Sequence, residues 1–287
     1  LVLWADTDRA TTAGGYIAFG QNTFLNTSGG STASAQTGGG GIWMAGGAMG
    51  SDGYPSGYAF SNTAGSTGID FNASTNSANG FRVYTGGGNL VMRGESSTFI
   101  GVRGADGTTI DSGVGSITIV GLSTTSSTAN PHPIEFNIQQ AYPFLITSAK
   151  PSGNAITISG TSTTTATDSI PISVIGGSST NGTTFSATGA TGNIVMTGVG
   201  GSVSDQAMRL MNFNAYTVGG NITMDAGVKG FTWSNFNAGV ASVNIGAASG
   251  STSTGTFTLK TDKLLTDTDP FNVRMARVVV EPSSTNF

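Results

Sequence analysis

Few side chains in this sequence are equipped for chemistry. The only histidine, His132, stands between Pro131 and Pro133. Imidazole catalysis needs a nucleophile and an orienting acid within hydrogen-bond reach, and the chain contains no GxSxG elbow. A histidine bracketed by prolines reads instead as part of a rigid surface loop. Glutamate occurs only at Glu95, Glu135 and Glu281, and the twelve aspartates are scattered. Glycoside hydrolysis needs two carboxylates facing each other across a substrate, and that spacing predicts no such pair. Arg82, Arg93 and Arg103 fall in neighbouring repeats. Their spacing suggests a basic stripe, which Glu95, Asp106 and Asp111 would balance as a solvated face. No residue is assigned a catalytic role.

Asp6/Asp8 and Asp267/Asp269 are acids two apart in the similar contexts ADTD and TDTD. Such a pair begins a Ca²⁺ site, but Ca²⁺ takes six to eight oxygens, and neither GGxGxD repeats nor an EF-hand loop follows. Ca²⁺ is therefore the one cofactor entertained, and no metal ligand is assigned. The GGGG run at 38–41 lacks the GK[ST] ending of a phosphate loop. Trp43, Tyr54, Tyr58, Tyr84 and Trp233 are candidates for stacking on surface glycans, Trp43 foremost because it alternates with Ile42 and Met44. Packing beneath an insertion at 47–57 is the competing role for Trp43. NxS/T acceptors stand at Asn26, Asn72, Asn181 and Asn221.

With 11 basic and 15 acidic side chains in 287 residues, phosphate binding lacks the clustered cations it requires. Nucleic acid is not an expected partner. No apolar run approaches the roughly 20 residues of a bilayer-spanning helix, so no membrane span is expected. The chain has no cysteine, which excludes disulfides and thiol chemistry. Solubility falls to Ser, Thr, Asn and Gly, a surface suited to an exported protein.

One pattern positions all of these residues. It is Gly, a small or polar residue, then apolar–x–apolar, often closed by Gly: GGYIAFG at 14–20, GGIWMAG at 40–46, GGNLVMRG at 87–94, GSITIVG at 115–121, GNAITISG at 153–160, GNIVMTG at 192–198, GGNITMDAG at 219–227 and ASVNIG at 241–246. The apolar pairs are Ile17/Phe19, Ile42/Met44, Leu90/Met92, Ile117/Ile119, Ile156/Ile158, Ile194/Met196, Ile222/Met224 and Val243/Ile245. A period of two means strands with one buried face, so these sixteen residues are the expected core ladder. Val91, Thr118, Thr157, Val195 and Thr223 should face outward. The steps from Ile17 to Ile42, Leu90 to Ile117, Ile194 to Ile222 and Ile222 to Val243 each match one coil of a β-solenoid, roughly 20–30 residues. The longer step from Ile42 to Leu90 reads as two coils. Those from Ile117 to Ile156 and from Ile156 to Ile194 read as coils carrying loops. Further strands are expected at Tyr58–Phe60, Ile69–Phe71, Phe81–Val83, Ile170–Val174, Phe231–Trp233 and Phe257–Leu259. Residues 204–213 fit a short helix, a loop or a kinked strand. A β-sandwich is the rival, but its hairpins need tight turns, and neither Asn79-Gly80 nor Asn181-Gly182 joins two clean strands. The expectation is an all-β, elongated, right-handed parallel β-helix over residues 1–287, in one domain.

The opening LVLWADTD, the GN[I/L]x[M/I]xG rungs and the closing VVVEPSSTNF at 278–287 resemble the repeat region of filamentous-haemagglutinin-type bacterial surface proteins. That resemblance implies a parallel β-helix exported through a partner pore, with a role in adhesion, cell–cell contact or biofilm matrix. The family's Asn-Pro-Asn type secretion signature has no counterpart, since Asn130-Pro131 is followed by His132. The expected function is a non-enzymatic adhesive segment of a bacterial extracellular filament; a polysaccharide lyase or tailspike on the same fold is the alternative. Leu1, Val2, Leu3 and Trp4 open the chain as an apolar strand, and Val278, Val279 and Val280 end one reaching back to Phe271. Both ends are expected to contact further coils of a longer parent chain or identical copies stacked end to end.

Overall fold

The computed structural model describes residues 1–5, 15–29, 37–63, 65–71, 80–124, 131–138, 142–164, 168–176, 182–200, 206–233, 242–248, 250–265 and 269–284. Among them the regular elements are all strands, and every strand pairing is parallel. They form three sheets, A, B and C, visited in that order. Sheet A stacks Val2–Ala5, Ile42–Gly46, Leu90–Ser96, Ile117–Ser123, Ser152–Ser162, Thr191–Gly200, Ile222–Asp225, Ser253–Lys260 and Met275–Glu281. Sheet B runs from Ile17–Ala18 to Leu264–Leu265 and sheet C from Phe24–Asn26 to Phe271–Val273, with eight strands each. The described residues thus complete eight A–B–C turns and add a ninth rung to sheet A. This is a parallel β-helix with all three sheets open at both ends. Nine rungs span about 38 Å at the usual inter-strand spacing.

The register confirms the period-two reading at the centre of the chain. Leu90, Ile117, Ile156, Ile194 and Ile222 stand in one column of sheet A, with Met92, Ile119, Ile158, Met196 and Met224 beside them, all fully buried. Ile42 and Met44 extend both columns and are equally buried. Val91, Thr118, Thr157, Val195 and Thr223 alternate onto the outer face and are half-buried. Two pairs stand elsewhere. Ile17 aligns with Ile69 in sheet B, and Ile17 and Phe19 are half-buried at the end of the core. Val243 and Ile245 align with Phe213 and Ala215 in sheet C. The column above Ile222 and Met224 is continued by Phe257 and Leu259. An apolar–x–apolar signature marks an inward-facing strand but carries no label for which of three sheets it joins.

Coil length is correspondingly less uniform than the repeat suggests. The stretch from Ile42 to Leu90 makes one coil, not two, because the two strands pair directly. Residues 47–58 leave sheet A as an excursion, after which Ala59–Ser61 resumes pairing beside Gly94–Ser96. The shortest coil along sheet A runs from Phe257 to Val278. The expected strand over 271–280 breaks into Phe271–Val273 in sheet C and Met275–Glu281 in sheet A. The segment left open at 204–213 enters two strands, Met208–Met211 and Phe213–Thr217, kinked at Asn212 with φ 47°.

The closing glycine of each copy has a steric cause. Gly94, Gly121, Gly160 and Gly198 stack in sheet A where the chain bends toward sheet B. A Cβ at Gly121 would fall well inside contact distance of the Pro133 carbonyl oxygen, and one at Gly160 would meet that of Pro171 in the same way. Inward serines follow two residues later. Ser61, Ser96, Ser123 and Ser162 stack in register. The Ser96 hydroxyl donates to the Ser66 carbonyl (3.0 Å) and accepts from the Phe99 amide (2.8 Å), so corner backbone groups are satisfied away from water.

Candidate functional site

A row of ionisable side chains that includes the single histidine's neighbours lies on sheet B. Alternation there places Asp70, Arg103, Glu135, Ser173, Arg209 and Thr232 in one row facing away from the apolar core. Glu135 Oε1 lies 3.7 Å from Arg103 Nε and accepts a long hydrogen bond from Asn137 Nδ2 at 3.4 Å. Arg209 donates to the Ser173 hydroxyl at 2.9 Å. His132 sits at the edge of this row and is only 3% exposed, so the expected surface loop is wrong. Its Nδ1 accepts the Ile170 amide hydrogen at 3.1 Å, which assigns the ring proton to Nε2, 3.8 Å from Glu135 Oε2.

Burial and then the nearby Arg209 guanidinium push the His132 pKa down to about 3. The imidazole is therefore neutral near pH 7, and its approach to Glu135 is not an ion pair. Burial holds the Glu135 carboxyl above its ordinary range, while Arg103, Asn137 and Arg209 pull the other way. A raised carboxylic acid beside a neutral imidazole has the makings of proton transfer. Both groups are nearly sealed, however, with Glu135 7% exposed. The row acts as a polar clamp across successive coils.

The three arginines form no stripe. Arg93 belongs to sheet A, Arg103 to sheet B and Arg82 to sheet C. Each guanidinium covers an aromatic ring instead, at 4.8 Å from the centroid of Tyr58, 6.0 Å from Phe99 and 5.5 Å from Phe24 respectively. Asp6, Asp8 and Asp267 lie outside the described residues, as do Asn72 and Asn181. Among the described residues no cluster of three or more acids or histidines could hold a metal ion. None of the elements is a helix long and apolar enough to cross a membrane.

The ends complete the geometry. In sheet A, Leu3 lies beside Met44, and Leu1 one step earlier beside Ile42. At the other end Val278 and Val280 align with Phe257 and Leu259. These are core-facing positions, yet Leu1 is 51% exposed, Val278 51% and Val280 63%. No B or C strand lies beneath the ninth A strand among the described residues. Comparison with family models, curated proteins and solved structures finds no match to this chain.

What the repeat pattern did not announce is how its asparagines are used. Asn193 Oδ1 accepts the Asn221 amide hydrogen of the next coil at 2.8 Å, and Asn221 Oδ1 accepts that of Thr256 at 2.9 Å. On the outer face of sheet C, Asn244 donates to Asn214 at 2.9 Å and Asn272 donates to Asn244 at 3.0 Å. The recurring Gly-Asn step of the rungs was the available signal for the first ladder. The second falls in strands that share an apolar–Asn–apolar step, FNA at 213–215, VNI at 243–245 and FNV at 271–273. Of the aromatics, Tyr84 packs edge-on to Phe24, and Trp233 is wedged against Phe271 with its indole nitrogen donating to the Asp269 carbonyl at 3.1 Å. Trp43 lies under the excursion, its ring stacked on Tyr54 at 4.3 Å.

Proposed function

We propose that this chain is a structural and adhesive segment of a bacterial extracellular or cell-surface filament, as its resemblance to filamentous-haemagglutinin-type repeats implies. The observation that carries the reading is the continuous register of the sheet A stack, in which each rung repeats the hydrogen-bonding edge of the one before. Among the described residues Val2–Ala5 and Met275–Glu281 are the outermost rungs of sheet A, and a strand edge of this kind is a surface on which a further coil or a second copy can stack. The outer face favours length over chemistry. It is poor in charge and laced by amide ladders, and the two groups of its sheet B row best suited to proton transfer, His132 and Glu135, are buried. Catalysis forms no part of this reading. The partners are further coils, of the same parent chain or of identical copies, and glycans of the surface to which the filament adheres.

Sedimentation and negative-stain electron microscopy of the purified chain test this. Rods or concentration-dependent end-to-end assembly, relieved by Leu3→Lys, are expected. Monodisperse single particles that stay so at high concentration, with the terminal strands shielded from hydrogen exchange by the particle's own loops, would overturn it.

A further inference from the structure

The excursion at 47–58 is built as a rigid pedestal. Its two limbs meet at a glycine neck, where the Gly57 amide donates to the Gly46 carbonyl at 2.9 Å. A Cβ on Gly57 would lie 2.8 Å from that oxygen, so only glycine lets the limbs approach so closely. Each limb is pinned from outside. The Trp4 indole nitrogen donates to the Gly47 carbonyl at 2.9 Å, and Arg93 Nε donates to the Gly57 carbonyl at 3.1 Å while its guanidinium covers Tyr58. Above the neck, Ser56 Oγ donates to the Ala48 carbonyl and a bridge joins Met49 to Pro55. The tip closes with the Gly50 amide donating to the Tyr54 carbonyl at 2.7 Å.

Two groups at this tip are fixed yet exposed. The Tyr54 ring has one face on Trp43, with an interplanar angle of 19°, and remains 40% exposed. Asp52 is exposed, and its Oδ1 accepts the Tyr54 amide hydrogen at 3.1 Å, which ties the carboxylate to the ring's own backbone. Trp4 (38% exposed) and Met49 (52% exposed) flank the pedestal. A flat ring beside a carboxylate is the chemistry that holds a pyranose: ring C–H groups stack on the aromatic face, and neighbouring hydroxyls donate to the carboxylate. The negative charge of Asp52 disfavours uronates and other anionic sugars.

We propose that Tyr54 and Asp52 form a binding site for a neutral saccharide on the outer face of sheet A, with Trp43 backing the Tyr54 ring. The site rests on the adhesive reading given above, because it supplies the contact with surface glycans. Preorganisation limits the ordering cost of binding. One shallow site therefore gives weak affinity per chain, and repetition along a fibre multiplies it through avidity.

The test uses the full chain and isothermal titration with three soluble probes: a cello-oligosaccharide, a manno-oligosaccharide and an oligogalacturonate. Indole fluorescence is followed in parallel, since Trp43 stacks on Tyr54. Saturable binding of at least one neutral probe and none of the oligogalacturonate is expected. Tyr54→Ala should weaken binding about tenfold or more, Asp52→Asn should weaken it less, and Tyr54→Phe should retain it. Far-UV circular dichroism and an unchanged melting temperature verify that each variant keeps the solenoid. No neutral binding at millimolar probe, equal binding by Tyr54→Ala, or preference for the oligogalacturonate would each overturn the site. Rods that bind no saccharide overturn this site alone, and single particles that bind one overturn the filament reading alone.

Discussion

Protonation of His132 should weaken the fold on acidification from pH 7 to pH 5. Its imidazole is 3% exposed, accepts the Ile170 amide hydrogen at Nδ1 and faces Arg209, and burial followed by that cation lowers its pKa to about 3. In the unfolded chain a histidine titrates near 6.5. A depressed folded-state pKa means that the unfolded chain takes up the proton first, so stability falls as pH drops below about 6.5. The loss amounts to about 2 kcal/mol between pH 7 and pH 5, and approaches about 4 kcal/mol near pH 3. Glu135 works in the opposite direction. Its raised pKa means that its burial penalty is relieved as pH falls through the folded-state value. Comparison with His132→Asn separates the two, because that variant keeps an acceptor for the Ile170 amide, does not titrate, and retains Glu135. Urea unfolding followed by far-UV circular dichroism at pH 7, 6 and 5 is the assay. Wild type should lose about 2 kcal/mol more than the variant over this range. Parallel pH dependence of the two proteins would refute the placement of His132 in a sealed, neutral state.

Gly121→Ala drives a methyl group into the Pro133 carbonyl and should cost about 1–3 kcal/mol or more in urea unfolding; Gly153→Ala, in open space at φ 70°, should cost about 1 kcal/mol from backbone strain alone. Ile156→Ala opens a cavity in a fully buried column and should cost about 2–5 kcal/mol. Thr157→Ala on the outer face of the same strand should stay within about 1 kcal/mol, and equal losses for the two would mean the strand register is wrong. Asn244→Ala removes the amide that donates to Asn214 and accepts from Asn272, at a cost of about 1–3 kcal/mol by the same assay; an unchanged midpoint would deny the ladder any stabilising role.

The strands themselves were legible because a strand's side chains alternate with a period fixed by covalent geometry. Ile117/Ile119 and Ile156/Ile158 could be read as buried with no knowledge of their neighbours. Which strand lies over which was not legible. Ile17/Phe19 and Val243/Ile245 carry the same signature as the sheet A rungs yet stand in sheets B and C, because the signature records burial and pairing is set by how much chain the corners and excursions absorb. The long interval between Ile42 and Leu90 illustrates this, since one coil with a glycine-necked pedestal and two plain coils have the same length on paper. The aromatics of the pedestal were recognised as candidates, and so was an insertion covering Trp43. Their convergence with Asp52 depends on the Trp4 and Arg93 pins, which come from rungs before and after it.

Burial likewise belongs to the tertiary level. His132 between two prolines reads as loop, and only the stacking of neighbouring coils places Ile170 and Arg209 against its ring. The amino-acid sequence by itself determined the strand period, the low charge and the absence of thiol chemistry, since these depend on residue identity and local spacing alone. The tertiary structure decided the sheet membership and the stacking of Asp70, Arg103, Glu135 and Arg209 in one row of sheet B. Each of those is a relation between residues at least a full coil apart in the chain, which no local propensity encodes.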